Sequence, residues 1–199
     1  MNSVLNATGV GKRFGRVVAL RAVDIDLTEG ETLLVKGPNG SGKSTLLRLL
    51  AGLTRPSAGS VEIEGRPPAT VRRSVGYLGH DPYLYPNLTA EENLSFYSKL
   101  YGLDESRGAA ALSSVGLEKW NRPVGQLSKG DTQRAAIARC LLHDPRYLLL
   151  DEPLTGLDRS GSELVLELMR SFSGTLVVAT HLDGGIKASQ TLDLGTEAI

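Results

Sequence analysis

The sequence contains a single cysteine and no long apolar run. Cys140 is the only cysteine among 199 residues, so an intrachain disulfide is excluded. No apolar stretch approaches the roughly 18 residues that a membrane-spanning helix requires. Residues 1–10 lack the basic and then apolar layout of a secretory signal peptide. We therefore expect an intracellular chain that would reach a membrane only through another protein.

The sequence also lacks an excess of either charge. Its 22 lysines and arginines balance 22 aspartates and glutamates, and the pI is about 6.8. Dedicated nucleic-acid-binding domains usually carry a basic stripe, so this balance argues against a nucleic-acid partner. Hydrophobic residues make up 41% of the chain, which is ordinary for one globular domain of this length.

The sequence does contain a complete phosphate-binding loop, of the form Gly37-x-x-x-x-Gly42-Lys43-Ser44. An apolar run typical of a buried strand precedes it, and a helical pattern follows it, as this motif requires. Glycines let the backbone N–H groups wrap closely around an anion at a helix N-terminus. The predicted nucleotide-binding residues are Gly37, Pro38, Asn39, Gly40, Ser41, Gly42, Lys43, Ser44 and Thr45.

The side chains of this loop suit the chemistry of a magnesium nucleotide. Lys43 would reach the β- and γ-phosphates, and the Ser44 hydroxyl would ligate Mg²⁺. The loop therefore predicts a bound nucleotide together with Mg²⁺.

The hydrophobic patterns predict an α/β fold of the P-loop NTPase type. Residues 4–30 alternate as in antiparallel strands, whereas later short apolar strands alternate with helices, which indicates a parallel core sheet. Residues 80–142 are mostly helical in pattern, with Thr89 and Glu92 forming a capping box. We expect one domain over residues 1–199, with a core lobe (1–79 and 143–199), an antiparallel N-terminal β-subdomain and an inserted helical lobe (80–142).

Two carboxylates follow the apolar strand Leu148-Leu149-Leu150. In parallel α/β sheets the carboxyl ends of strands form the ligand-binding edge. Asp151 suits a magnesium role opposite Ser44, and Glu152 would act as general base on the attacking water. The alternative is a pair of residues that only caps a turn before Pro153.

Several motifs occur together in the order found in ABC-type ATPases, which this chain resembles from Val4 to about Gly195. They are Gly37–Thr45, Leu127-Ser128-Lys129-Gly130-Asp131, Leu150-Asp151-Glu152-Pro153, Leu157-Asp158 and His181. The resemblance implies that the nucleotide is ATP, that Phe14 stacks on its adenine and that His181 contacts the γ-phosphate. It also implies that the loop containing Leu157 and Asp158 contacts the opposite subunit.

The segment Ser128, Lys129, Gly130 and Asp131 resembles the signature of this family, which binds the γ-phosphate held by another subunit. The resemblance therefore implies a second ABC ATPase subunit, in a homodimer or heterodimer. It further implies a separate transmembrane permease subunit, with this chain peripheral on the cytoplasmic face of the cell membrane.

The chain departs from the family pattern at two places. The usual signature has Gly and Gln where this chain has Lys129 and Asp131, and the usual magnesium-contacting glutamine falls at His80 or Asp81. Either of the latter two would contact the metal. Two alternatives to the transport ATPase stay open. One is a soluble ABC-type ATPase that remodels a cytosolic partner, and the other, which these departures favour, is a low-turnover subunit of a heterodimer.

Two further features bear on partner and subfamily. Tyr83 and Tyr85 lie where transporters of this family form a groove for the membrane subunit, and packing inside the helical lobe is an equal alternative for them. The short chain, Gly79-His80 and the altered signature resemble the ATPase of the bacterial heme-export, cytochrome c maturation system.

Overall fold

The computed structural model describes residues 3–117, 121–181 and 185–195. The predicted domain bounds, residues 1 and 199, lie outside the described residues. The strands are β1 (Ser3–Phe14), β2 (Val17–Thr28), β3 (Thr32–Lys36), β4 (Ala58–Ile63), β5 (Val75–Leu78), β6 (Tyr147–Asp151), β7 (Thr175–Ala179) and β8 (Gln190–Asp193). The α-helices are α1 (Lys43–Leu50), α2 (Ala90–Tyr101), α3 (Ser106–Ser114), α4 (Lys129–Leu141) and α5 (Arg159–Ser171).

Five strands form a parallel sheet in the order β5-β6-β7-β3-β8. The central strands β6 and β7 are buried along their whole length, because helices and the second sheet cover both faces. This explains why their sequences are continuous apolar runs rather than alternating ones. The carboxyl ends of β3, β5 and β6 meet at one edge of the sheet. The phosphate loop, His80 and the Asp151–Glu152 pair follow these strand ends.

Three strands form a separate antiparallel sheet in the order β2-β1-β4. Val23, Ile25 and Leu27 of β2 are buried and the residues between them are exposed, as the alternating pattern predicts. This sheet packs with α1 against one face of the parallel sheet in a shared hydrophobic cluster. The predicted fold class is confirmed.

The helices α2 to α5 share a second hydrophobic cluster with the other face of the parallel sheet. The Thr89–Glu92 capping box at the start of α2 forms as predicted. Helix α4 begins at Lys129 with Ser128 as its N-cap, because the Ser128 hydroxyl accepts a hydrogen bond from the Asp131 N–H. Cys140 is fully buried in this helix.

In the described ranges, we find no helix with the length and apolar character needed to cross a membrane.

Candidate nucleotide-binding site

The phosphate loop joins β3 to α1 and depends on two glycines with positive φ. Gly37 has φ 148° and Gly42 has φ 97°. A Cβ atom on Gly42 would collide with the Ala19 carbonyl, and one on Gly37 would lie 2.5 Å from Ser41 Oγ. The loop can therefore wrap tightly only because both positions lack a side chain.

Lys43 is the first residue of α1, and its side chain folds back over the loop. Its ammonium donates hydrogen bonds to the carbonyls of Gly37 (2.6 Å) and Pro38 (3.1 Å). The same nitrogen lies 4.0 Å from the Glu152 carboxylate. A buried cation is thus held over the N–H groups of the loop, where an anion would bind.

Asp151 is the last residue of β6 and is nearly fully buried. Burial raises the pKa of this carboxyl group, while a hydrogen bond with Ser44 and the charge of Lys43 act in the opposite direction. Its Oδ2 atom is buried and has no hydrogen-bond partner among the described residues.

A hard cation such as Mg²⁺ fits this pair of oxygen ligands, because an unpartnered buried carboxylate oxygen lies beside a hydroxyl. The described ranges contain no group of three or more His, Cys, Asp or Glu residues able to hold a metal ion. Phosphate and water oxygens would therefore complete the coordination, as is usual for Mg²⁺ at nucleotide sites.

Glu152 directly follows Asp151, and its side chain points to the end of β7. Its carboxylate accepts hydrogen bonds from the Thr180 hydroxyl (3.0 Å) and the His181 N–H (3.1 Å). The His181 Nδ1 atom lies 2.8 Å from Glu152 Oε1. The structure thus brings together two predicted residues that are 29 positions apart, because β6 and β7 are adjacent parallel strands.

A cavity of about 460 Å³ lies over the phosphate loop. Residues of the loop, Asp151, Glu152 and His80 line it together with Val17, Val18 and Ala19 of β2. Phe14 is not among the described residues that line this cavity, although its ring is 55% exposed and Lys12 Nζ lies 5.0 Å from its centroid. Sequence reasoning missed Val17 and Val18. Both are apolar side chains exposed to solvent, and this exposure is visible only in the structure.

The predicted signature lies outside the phosphate-loop cavity. Of Ser128, Lys129, Gly130 and Asp131, none is among the described residues that line it. Lys129 instead lines a neighbouring cleft of about 480 Å³, between α4 and the residues that follow β6. The signature of one chain therefore does not contribute to the phosphate-loop cavity of the same chain, although the two clefts share His80, Asp151 and Glu152.

Asp131 is buried, and its charge is compensated within α4. Its carboxylate forms an ion pair with Arg134 and accepts a hydrogen bond from the Ser128 hydroxyl (2.7 Å). The Arg134 guanidinium also donates to the carbonyls of Val115 and Gly116 at 3.2 Å. Pairing with Arg134 weakens the repulsion that the Asp131 carboxylate would exert on a nearby phosphate.

The two candidates for the missing glutamine lie in different surroundings. His80 lines both clefts and lies near enough to Asp151 to affect its pKa. The Asp81 carboxylate accepts a hydrogen bond from the Tyr83 N–H (2.8 Å) in a local turn. Of the two, His80 is therefore the residue placed beside the phosphate loop.

The predicted dimer loop precedes α5. Asp158 is the N-cap of α5, since its carboxylate accepts a hydrogen bond from the Gly161 N–H at 2.8 Å. This hydrogen bond, followed by that from Ser160, lowers the pKa of Asp158. Leu157 is partly buried against the second hydrophobic cluster.

Comparison with known proteins identifies the family. The family profile described as ABC transporter matches residues 20–155, more than half of the chain. The chain belongs to the ABC transporter family. It is an ATP-binding and ATP-hydrolysing subunit of the kind that energises transport together with a second cassette and a membrane subunit.

Individual relatives of this ABC ATPase come from different transport systems. The cytochrome c biogenesis ATP-binding export protein CcmA of Chelativorans sp. (strain BNC1) is 42% identical over 193 residues, which cover 93% of this chain and 94% of CcmA. The ABC transporter ATP-binding protein NatA of Bacillus subtilis (strain 168) is 37% identical over 185 residues, or 86% of this chain and 75% of NatA.

Solved structures show the same fold. A dimeric, post-hydrolysis ATP-binding cassette bound to ADP and Pi is 31% identical, with a TM-score of 0.80 over 89% of this chain and 88% of that chain. A dimeric bacterial ABC transporter cassette is 27% identical, with a TM-score of 0.83 over 97% of this chain and 96% of the other.

Proposed function

We propose that this ABC ATPase hydrolyses ATP with Glu152 as the general base. The observation that carries the proposal is the contact between Glu152 and His181 at the end of two adjacent parallel strands, beside the phosphate loop. Thr180 and the His181 N–H orient the carboxylate, so that it is held ready to accept a proton from the attacking water. Lys43 and the loop N–H groups, including those of Ser44 and Thr45, would stabilise the phosphate charge.

Mg²⁺ would be held by the Ser44 hydroxyl and the Asp151 carboxylate, with His80 nearby. When bound, the ion neutralises phosphate charge. Phe14 is proposed to stack on the adenine from the edge of the antiparallel sheet, with the exposed Val17 and Val18 covering the adjoining part of the cavity.

The complete catalytic site would include a second cassette. Ser128, Lys129 and Gly130 at the N-terminus of α4 would contact the γ-phosphate bound by the partner, and Leu157 and Asp158 would lie at the contact between subunits. Support comes from the position of the signature outside its own phosphate-loop cavity and from the dimeric state of the similar cassettes. The core and helical lobes expected from the sequence would together form each subunit.

The membrane partner is proposed to dock beside the helical lobe, which places this chain on the cytoplasmic face of the membrane. A cavity of about 260 Å³ lined by Tyr83, Tyr97 and Arg139 lies there. Tyr83 is 43% exposed while its ring lies over Arg139, and Tyr85 is 49% exposed while it contacts Phe96 edge-on. Both tyrosines thus combine internal packing with a surface available to a partner.

The transport system that fits best is export in cytochrome c biogenesis. CcmA matches this chain over nearly the full length of both proteins at 42% identity, and His80 stands where the family's usual glutamine is expected. We therefore propose that this chain serves export in cytochrome c biogenesis.

The test is deletion of the coding gene in its host, followed by heme staining of c-type cytochromes. We expect the deletion to abolish holocytochrome c, the native gene to restore it, and a Lys43→Ala gene to fail. Normal cytochrome c in the deletion strain would exclude this subfamily and leave the ABC ATPase assignment intact.

A low-turnover role in a heterodimer is the second candidate, favoured by Lys129, Asp131 and His80. The purified chain would then bind ATP but turn it over slowly until a second, different cassette is added. Rapid turnover by the chain alone would exclude this candidate.

A further inference from the structure

The side chain of Gln133 connects the signature helix to the turn that carries Glu152. Gln133 lies on α4, one turn after the signature residues, and faces the cleft between α4 and the end of β6. Its Nε2 atom donates hydrogen bonds to the Glu152 carbonyl (3.1 Å) and the Pro153 carbonyl (3.2 Å). A glutamine amide has two N–H groups, so both carbonyls can be bound at once.

The turn that Gln133 holds is strained. Glu152 has φ 50°, a left-handed conformation that costs a non-glycine residue free energy and persists only where neighbouring contacts fix it. The Glu152 N–H donates to the Ala179 carbonyl (2.8 Å), and the Glu152 carbonyl also accepts from the Thr155 N–H (3.2 Å). Among the described contacts, Gln133 is the side chain that fixes this backbone from the side of α4.

A second contact brings the same two segments together. A Cβ atom on Gly130 would lie 2.9 Å from the Gly156 carbonyl, and one on Gly156 would lie 3.2 Å from Lys129 Cβ. The start of α4 therefore touches the loop after Glu152 at two points. The signature end of α4 touches the loop after Glu152, and Gln133 of the same helix binds the turn at Glu152. A displacement of α4 would therefore be transmitted to the backbone of Glu152.

We infer that Gln133 is a positioning residue for ATP hydrolysis, which orients Glu152 and couples it to the signature helix of the same chain. The inference rests on the proposed role of Glu152 as general base. Gln133 donates hydrogen bonds to the two carbonyls of the turn and is not among the described residues that line the phosphate-loop cavity. Its removal should therefore slow the chemical step without weakening nucleotide binding.

The test compares Gln133→Glu with Gln133→Met in the purified full chain. Both variants keep the length of the side chain and lose the donor amide, and Met adds no charge. We expect kcat to fall about ten-fold, less than the full contribution of a positioned base, with the KM for ATP and the melting temperature close to those of the native protein. Asn87→Asp, an amide-to-acid change at an exposed position of the helical lobe, serves as the matched control and should leave kcat unchanged.

Three outcomes separate the possibilities. A parallel loss of melting temperature and ATP affinity in both variants would show a merely structural role and overturn the inference, as would an unchanged kcat. Glu152→Gln is measured beside them. If it abolishes turnover while the kcat of Gln133→Met equals that of the native protein, only the inference fails, whereas retained turnover in Glu152→Gln would overturn the proposed base itself.

Discussion

At the scale of single residues, burial and strand position set the properties of the ionisable groups. Asp151 and Glu152 are neighbours in sequence, yet they face different surroundings: one carboxylate lies nearly buried beside Ser44, and the other binds Thr180 and His181. Because Asp151 ends β6 and Glu152 leaves the strand in a left-handed conformation, the two adjacent acids can take separate roles. The sequence shows the pair, and the fold assigns each member its environment.

His143 provides a prediction at this scale. Burial lowers its pKa, and Arg139 acts in the same direction, whereas a hydrogen bond to the Val75 carbonyl and the charge of Asp144 oppose the shift. As the pH falls below the unfolded value of about 6.5, the unfolded chain binds a proton that the folded chain does not bind. We therefore expect the free energy of unfolding to decrease from pH 7 to pH 5.

The measurement is urea unfolding at several pH values for the native protein and for His143→Gln. The variant should show a smaller loss of stability over this range, because glutamine has no proton to bind there. Equal pH slopes for the two proteins would contradict the assignment of this acid sensitivity to His143, which also stacks on Tyr101 with ring centroids 4.5 Å apart.

At the scale of secondary-structure elements, helix ends determine where the helical part begins and ends. Ser128 and Thr89 each accept a hydrogen bond from a backbone N–H in the first turn of their helix, and Gly102 ends α2 in a left-handed conformation. The signature helix α4 begins at Lys129, because Ser128 is its N-cap and residues 124–126 form a separate 3₁₀ turn.

The capping box of α2 gives a prediction for this scale. Thr89→Ala removes the acceptor of the Glu92 N–H (3.1 Å) and should cost about 1 kcal/mol of unfolding free energy. Thr89→Ser retains a hydroxyl acceptor and serves as the matched control. Chemical denaturation would measure both, and equal stabilities for the alanine and serine variants would show that the cap contributes nothing.

At the scale of the whole molecule, the predicted signature and the phosphate-loop cavity of one chain are separate features. The phosphate-loop cavity is lined by the antiparallel sheet, the loop and the ends of the parallel strands, while the signature lies beside a different cleft. A monomer therefore brings a signature and a phosphate loop to its surface without joining them. Two copies, or two related chains, would complete both sites.

Glu152→Gln tests this arrangement. With MgATP we expect the variant to form a stable dimer in size-exclusion chromatography and to lose turnover by about two to four orders of magnitude, since the dimer can close but lacks its base. Glu163→Gln, an exposed position on α5, is the control and should retain turnover. Native rates in Glu152→Gln would show that another group accepts the proton.

Much of this protein follows from the sequence alone, because the features concerned depend on local geometry. The phosphate loop is recognisable because Gly37 and Gly42 must adopt positive φ values and cannot carry a Cβ atom. The strands and helices follow from patterns with periods of 2 and 3.6, and Thr89 and Glu92 mark a helix start by chemistry within four residues. These elements needed no knowledge of the tertiary fold.

The tertiary structure decided which distant groups meet, because sheet order and helix packing are not encoded in any one segment. Only the adjacency of β6 and β7 places Thr180 and His181 on the Glu152 carboxylate. Only the packing of α4 against the end of β6 lets Gln133 hold the strained turn at Glu152. The sequence by itself thus determined that the chain binds a nucleotide phosphate, and the fold determined which side chains orient the base.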